Sequence, residues 1–152
     1  MKFAALALCL ALIAPRAWAA PAPTLVEVWK SDSCGCCGEW IRHLRKSGFA
    51  TKVNSVADAA PVRSAFGIPD RLGSCHTAKV GGYAIEGHVP ASDIRRLLAE
   101  KPEAIGLAAP GMPQGSPGMD IPGSPPFETL LVRADGSTAV YGRHAGPTRA
   151  AR

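Results

Sequence analysis

The sequence predicts a single-domain α/β fold, on three observations. Over residues 24–101, strand-like apolar runs alternate with helix-spaced ones in the order strand, helix, strand, helix, strand, strand, helix. Two pairs of β-rich runs are separated by Gly81-Gly82 and Asp135-Gly136, dipeptides of tight hairpins. An N-terminal leader leaves about 130 residues, enough for one compact core and too few for two.

The leader has the pattern of a secretory signal peptide. Met1-Lys2 precedes an apolar run over residues 3–14, and Ala17-Trp18-Ala19 is a small-x-small cleavage pattern. The run is shorter than the roughly 20 residues of a membrane span, so residues 1–19 are expected to be removed, leaving residues 20–152 as a domain without a membrane span. Cys9 sits midway along the run, not at its end where a lipid-anchored cysteine would stand. The chain of 152 residues carries a net charge of +5, and without Lys2 and Arg16 the excess is +3. So small and scattered an excess gives no case for nucleic acid binding.

Residues 24–29, rich in β-branched and aromatic side chains, form the first expected strand. Ser31, Asp32 and Ser33 offer caps to a helix over residues 37–47, in which Trp40, Ile41 and Leu44 share a face and Gly48 marks the stop. Residues 49–53 read as the second strand and residues 58–66 as a short helix capped by Asp58. Residues 73–80 and 83–88 flank Gly81-Gly82 as a hairpin, and residues 89–101 form a third helix with Ile94, Leu97 and Leu98 on its apolar face. A parallel pair followed by an antiparallel hairpin is the consequence. This order is the thioredoxin-like arrangement, although no proline directly precedes strand three and Cys75 stands near that place instead. The tail adds a Gly/Pro/Met loop over residues 109–126 and a hairpin over residues 127–142, which extends the sheet or folds back over the site; residues after Arg143 are expected to fray.

The chemistry concentrates in Ser33-Cys34-Gly35-Cys36-Cys37-Gly38-Glu39-Trp40, where strand one gives way to helix one. Cys34 and Cys37 form a Cys-x-x-Cys pair able to close a disulfide at a helix N-terminus, where thiol pKa is lowered, and Cys36 is an inserted third thiol. Outside the leader a fourth cysteine, Cys75, completes an even count, which in an oxidising compartment suggests structural disulfides. A staple between such near neighbours closes too small a loop to stabilise much. With strand three beside strand one, Cys75 comes within reach of the turn.

Imidazole and thioether donors follow in His88, Met112 and Met119. His76 neighbours Cys75 in an expected strand, so its side chain should point to the opposite face. His43 is expected to face away from the turn into solvent, His144 is a straggler, and Asp32 and Glu39 are read as helix caps. Thiolate, thioether and imidazole together select Cu(I), while zinc or an iron–sulfur cluster is open to the thiols alone. Methionines have no place in a zinc site.

With these residues assembled, the chain resembles the exported CopG-like copper-resistance proteins of bacteria. The resemblance is carried by Trp29-Lys30, the Cys34-Gly35-Cys36-Cys37-Gly38-Glu39-Trp40 segment, Ser74-Cys75-His76-Thr77-Ala78, Tyr83-Ala84-Ile85-Glu86-Gly87-His88-Val89-Pro90, and the two methionine motifs within residues 106–119. It implies a thioredoxin-like fold, a periplasmic location, several copper ions held by the clustered cysteines, and a redox role in copper handling.

The expected metal ligands are thus Cys34, Cys36, Cys37, Cys75, His88, Met112 and Met119, holding more than one copper ion as Cu(I), in a thiolate-bridged cluster. Other periplasmic copper-resistance proteins are the expected partners. The alternative is a thiol-disulfide oxidoreductase without metal, in which Cys34 attacks and Cys37 resolves; whether the chain is an enzyme turns on that choice. A disulfide-stapled binding module is the third reading.

Overall fold

The computed structural model describes residues 22–148, so the expected signal peptide lies outside the described residues. The fold is mixed α/β, a seven-stranded sheet with few helices. In chain order the elements are β1 (Leu25–Lys30), α1 (Gly35–Lys46), β2 (Ala50–Ser55), α2 (Ala60–Ala65), a 3-10 turn (Asp70–Leu72), β3 (His76–Val80), β4 (Tyr83–Gly87), α3 (Ala91–Glu100), β5 (Gly106–Ala109), β6 (Phe127–Val132) and β7 (Thr138–His144).

The sheet order is β2-β1-β3-β4-β5-β6-β7. β1 runs parallel to β2 and antiparallel to β3, with Lys30 opposite His76, so the residue before β3 lies beside the chain leaving β1. This register brings the Cys75 segment to the cysteine turn. β3 and β4 form the expected hairpin about Gly81-Gly82. Apolar residues of α1 (Trp40, Ile41, Leu44) and α3 (Ile94, Leu97) pack with Val26, Val28, Val80, Ile85 and Leu107 on one face, while Ile68, Leu72, Ala84, Ala108 and Val132 close the other.

β5 was not expected. It pairs parallel with β4 and antiparallel with β6, and all four of its residues are buried. Gly106 fits there because a Cβ would stand 1.7 Å from the Ala84 carbonyl oxygen. The strand takes in Ala109, so the connecting loop begins at residue 110, and β6 and β7 extend the sheet rather than covering the site.

Three local expectations are corrected. α1 begins at Gly35 with Cys34 at the N-cap and no side-chain cap bond; Asp32 instead accepts from Ser55 Oγ at 2.5 Å, and Glu39 pairs with Arg42. Cys34 thus occupies the position a capping hydroxyl or carboxylate would fill, without making its bond. His144 does not fray: it closes β7 opposite Phe127, with Nε2 2.9 Å from Asp93 Oδ2 on α3 and 3.1 Å from Thr129 Oγ1. His43 is half-buried, and its Nε2 accepts the first amide of α3, Ala91 N, at 3.2 Å. Burial, ahead of the opposed influences of Asp120 and Arg95, lowers its pKa.

Candidate metal centre

The strand-to-helix turn places Cys34 at the N-cap of α1 and Cys36 and Cys37 in its first turn. Cys37 is fully buried, whereas Cys34 and Cys36 are half-buried, because only Cys37 falls on the face that carries Trp40, Ile41 and Leu44 into the core. Cys34 and Cys37 are joined in a disulfide; Cys36 and Cys75 are free. The sulfur atoms of Cys34, Cys36, Cys37 and Cys75 all lie within 4.8 Å of one another, with Cys34 and Cys36 3.7 Å apart.

Cys75 stands in the bend before β3, half-buried. Burial first, then Cys36 and Glu86, raise its thiol pKa. Its Sγ is 2.6 Å from Met112 Sδ. Met112 adopts a positive φ of 51° directly after Gly111 at 69°, a backbone reversal that turns it toward the thiols. An open cleft of about 430 Å³ meets Cys34, Cys36, Cys75 and Met112, with Ser33 and Ser74 at its wall.

Behind Cys37 lies a second group. Donor atoms of Cys37, His76 and His88 also lie within 4.8 Å of one another, and all three residues are buried. His76, expected on the far face, is the ligand-type residue that sequence reasoning left out of the site. β3 begins at His76, so strand alternation does not extend back to Cys75 and the two side chains serve the same end of the sheet. Its ring tilts on Trp40 with centroids 4.3 Å apart and lies 5.2 Å from that of His88. Trp40 is fixed in turn by Nε1 donating to the Val89 carbonyl at 2.8 Å.

Neither nitrogen of His76 has a hydrogen-bond partner in proper geometry. Burial, and then the His88 ring, push its pKa down to about 3, opposed by a poorly aligned contact with the Gly87 backbone. The ring is neutral, with lone-pair and N–H capacity unspent. His88 is also shifted down by burial; its Nδ1 meets the Pro117 carbonyl at 2.8 Å and its Nε2 has no partner. Buried polar atoms without partners are costly, and here they adjoin a sulfur.

Cys37 belongs to both groups. The geometry therefore joins Cys34, Cys36, Cys75 and Met112 to His76 and His88 through one buried sulfur. Met119 does not line the cleft; its loop reaches the centre through the Pro117 carbonyl on His88 and through Gly118, packed on the backbone of Trp40. His43 is taken up by Ala91, and His144 by Asp93 and Thr129. Under Cys75 lies Glu86, fully buried, whose Oε1 accepts from Ser74 N at 2.6 Å and stands 3.7 Å from Arg63. Burial, against the Ser74 N–H bond and the lowering influence of Thr77 and the Arg63 charge, pushes its pKa up to about 7.

A family profile described as "Protein of unknown function, DUF411" matches residues 72–119, the span from the Cys75 bend through both methionine motifs. No curated protein matches the chain. Two solved structures, "Copper resistance protein copG- Form 1" and "Form 2", superpose with a TM-score of 0.76 at 38% identity. The first covers 82% of this chain and 99% of its own, the second 80% and 98%. With identity at that level over nearly the whole of those proteins, the chain belongs to the CopG family of copper resistance proteins.

Proposed function

We propose that this protein is an exported, thioredoxin-like copper-binding protein that takes Cu(I) as its cargo in copper resistance. The observation that carries the reading is the junction at Cys37, where four clustered sulfurs meet two buried imidazoles with unpartnered nitrogens. Sulfur and neutral imidazole are the donors Cu(I) favours. Six such groups in one place exceed what a single Cu(I) ion takes up, which supports more than one ion held on bridging thiolates.

In this reading Cys34, Cys36, Cys37 and Cys75 supply thiolates once the Cys34–Cys37 disulfide is reduced. His88 and Met112 complete the set, Met119 covers it, and His76 is added as a ligand. Thiol deprotonation accompanies loading. The order β2-β1-β3-β4 with its three helices supports the thioredoxin-like description, and β5 to β7 are additions to it. The apolar run over residues 3–14 and the small-x-small motif at residues 17–19 support export through a cleaved signal peptide to the periplasm. No helix among the described residues is long and apolar enough to cross a membrane.

The disulfide favours one alternative. An accessible Cys34 bonded to a fully buried Cys37 is the asymmetry of a dithiol exchanger, in which the outer sulfur attacks and the inner one resolves. Anaerobic Cu(I) titration of the reduced protein against a competing chelator, repeated with Cys36→Ser, separates the two. More than one tight equivalent, mostly lost in the variant, is expected for copper handling. Weak binding with robust disulfide reduction in an insulin assay would assign the chain to thiol exchange.

A further inference from the structure

We propose that Glu86 is the positioning residue of Cys75, acting through the backbone of Ser74. Cys75 precedes β3, so no strand ladder holds it. What holds the bend is a carboxylate. Glu86 Oε1 accepts from Ser74 N at 2.6 Å, and Glu86 lies directly opposite Thr77 in the β3–β4 register, so the bend folds back over its own hairpin partner.

The surroundings tighten that grip. Gly87, next along β4, has a φ of 71°, and a Cβ there would come within 2.8 Å of Ser74 Oγ and 2.6 Å of the Ala109 carbonyl oxygen. A Cβ on Gly73 would be 3.0 Å from the guanidinium carbon of Arg63. Arg63, itself buried, reaches Asp70 at 3.1 Å and Glu86 at 3.7 Å, so the carboxylate is anchored from the α2 side as well. Ser74 is thus confined between β4 and α2, and Cys75 is set against Met112 and the cysteine turn.

A fully buried carboxylate is an expensive way to fill space, since well-packed apolar residues often replace buried ionic groups without loss of stability. Its use here follows from what it holds: an amide one residue from a thiol. An apolar side chain could fill the site but could not accept the Ser74 N–H.

The test uses the whole mature protein in its Cys34–Cys37 oxidised form, in which Cys36 and Cys75 are the reactive thiols. Timed iodoacetamide labelling, read peptide by peptide, compares Glu86→Asp, which keeps the charge but shortens the reach, with Glu86→Gln, which keeps the reach and an acceptor oxygen. Glu86→Asp is expected to speed Cys75 labelling roughly tenfold relative to Cys36, and Glu86→Gln to leave it within about twofold, in line with a hydrogen bond of about 1.4 kcal/mol. The reverse order, equal acceleration of both thiols, acceleration by both variants or no effect in either overturns the proposal.

Hydrogen exchange of the wild-type Ser74 amide gives an answer independent of any variant. Protection is expected although the residue lies outside a strand, and exchange at the rate of an open loop overturns the proposal. Neither readout involves copper. Only the extension that misplacing Cys75 weakens Cu(I) binding rests on the copper reading, and there Glu86→Asp should cost affinity in the wild type but not in a Cys75→Ser background.

Discussion

The imidazole of His76 rests against the indole of Trp40, their ring centroids 4.3 Å apart and their planes 39° from one another. Any change at the His76 ring is therefore within sight of a fluorophore. In a mature protein carrying Trp29→Phe, Trp40 is the remaining tryptophan. Its emission should fall as Cu(I) is added. The response should vanish in His76→Gln while the thiols still bind metal; an unchanged response there would remove His76 from the ligand set.

Below pH 7 the largest contributions to the pH dependence of folding come from two buried groups with opposite signs, His43 and His88 adding to the side of His76. His76 has a folded pKa of about 3 against an ordinary 6.5, so the unfolded chain takes up a proton that the fold refuses. Stability is whole above 6.5 and declines as pH falls from there toward 3. Glu86 is raised from 4.5 to about 7, so its contribution is complete below 4.5 and is lost as pH rises toward 7. The two slopes oppose each other between 4.5 and 6.5, and below 4.5 that of His76 is unopposed. Denaturant unfolding of the apo protein should show a shallow profile in the first window and a steep acid loss beyond it, which His76→Phe should flatten.

Met112 separates ligation from backbone cost. Met112→Leu keeps the fold and removes the thioether beside Cys75, and should weaken Cu(I) binding about tenfold, near 1.4 kcal/mol. Met112→Gly relieves the left-handed backbone at φ 51° and should gain apo stability of up to about 1 kcal/mol while losing the same affinity. Competition titration and chemical denaturation on the two variants read the effects independently. Equal affinities for wild type and Met112→Leu would leave the thioether outside the site.

Gly118 is where the methionine loop lies on α1. With φ at 88° and a Cβ that would stand 2.5 Å from Trp40 N, Gly118→Ala forces the loop off the helix. The cost should be about 1–3 kcal/mol by thermal or denaturant unfolding, as for overpacking in a core. A neutral substitution would show that the loop does not dock as described.

The sequence announced the parts of this fold that carry strong periodic or turn signals. The Cys34–Cys37 turn between β1 and α1, the Gly81-Gly82 and Asp135-Gly136 hairpins and the apolar face of α3 were all legible. β5 was not, because Gly-Leu-Ala-Ala has weak strand propensity and is buried on both sides, so no alternation marks it. At the site, the cysteines announced themselves by spacing. His76 was obscured by starting the strand at residue 73 and carrying its alternation through Cys75, since the bend ends and β3 begins between Cys75 and His76. Asp32 and Glu39 resemble caps in sequence, but a cap depends on local backbone angles, and the chain spends these carboxylates on Ser55 and Arg42.

Because β5 and β6 are neighbouring strands of one sheet, the methionine loop between them is fastened at both ends to rigid backbone. It is bonded within itself, as in Ile121 N to the Gln114 carbonyl at 3.0 Å, and to the chain end through Gly123 N and the Pro147 carbonyl at 2.8 Å. Such a segment is a fixed wall and not a swinging flap. Its Met112 end lines the same cleft as Cys36 and Cys75, so a molecule entering there would meet Cys36 before the buried Cys37 or either histidine.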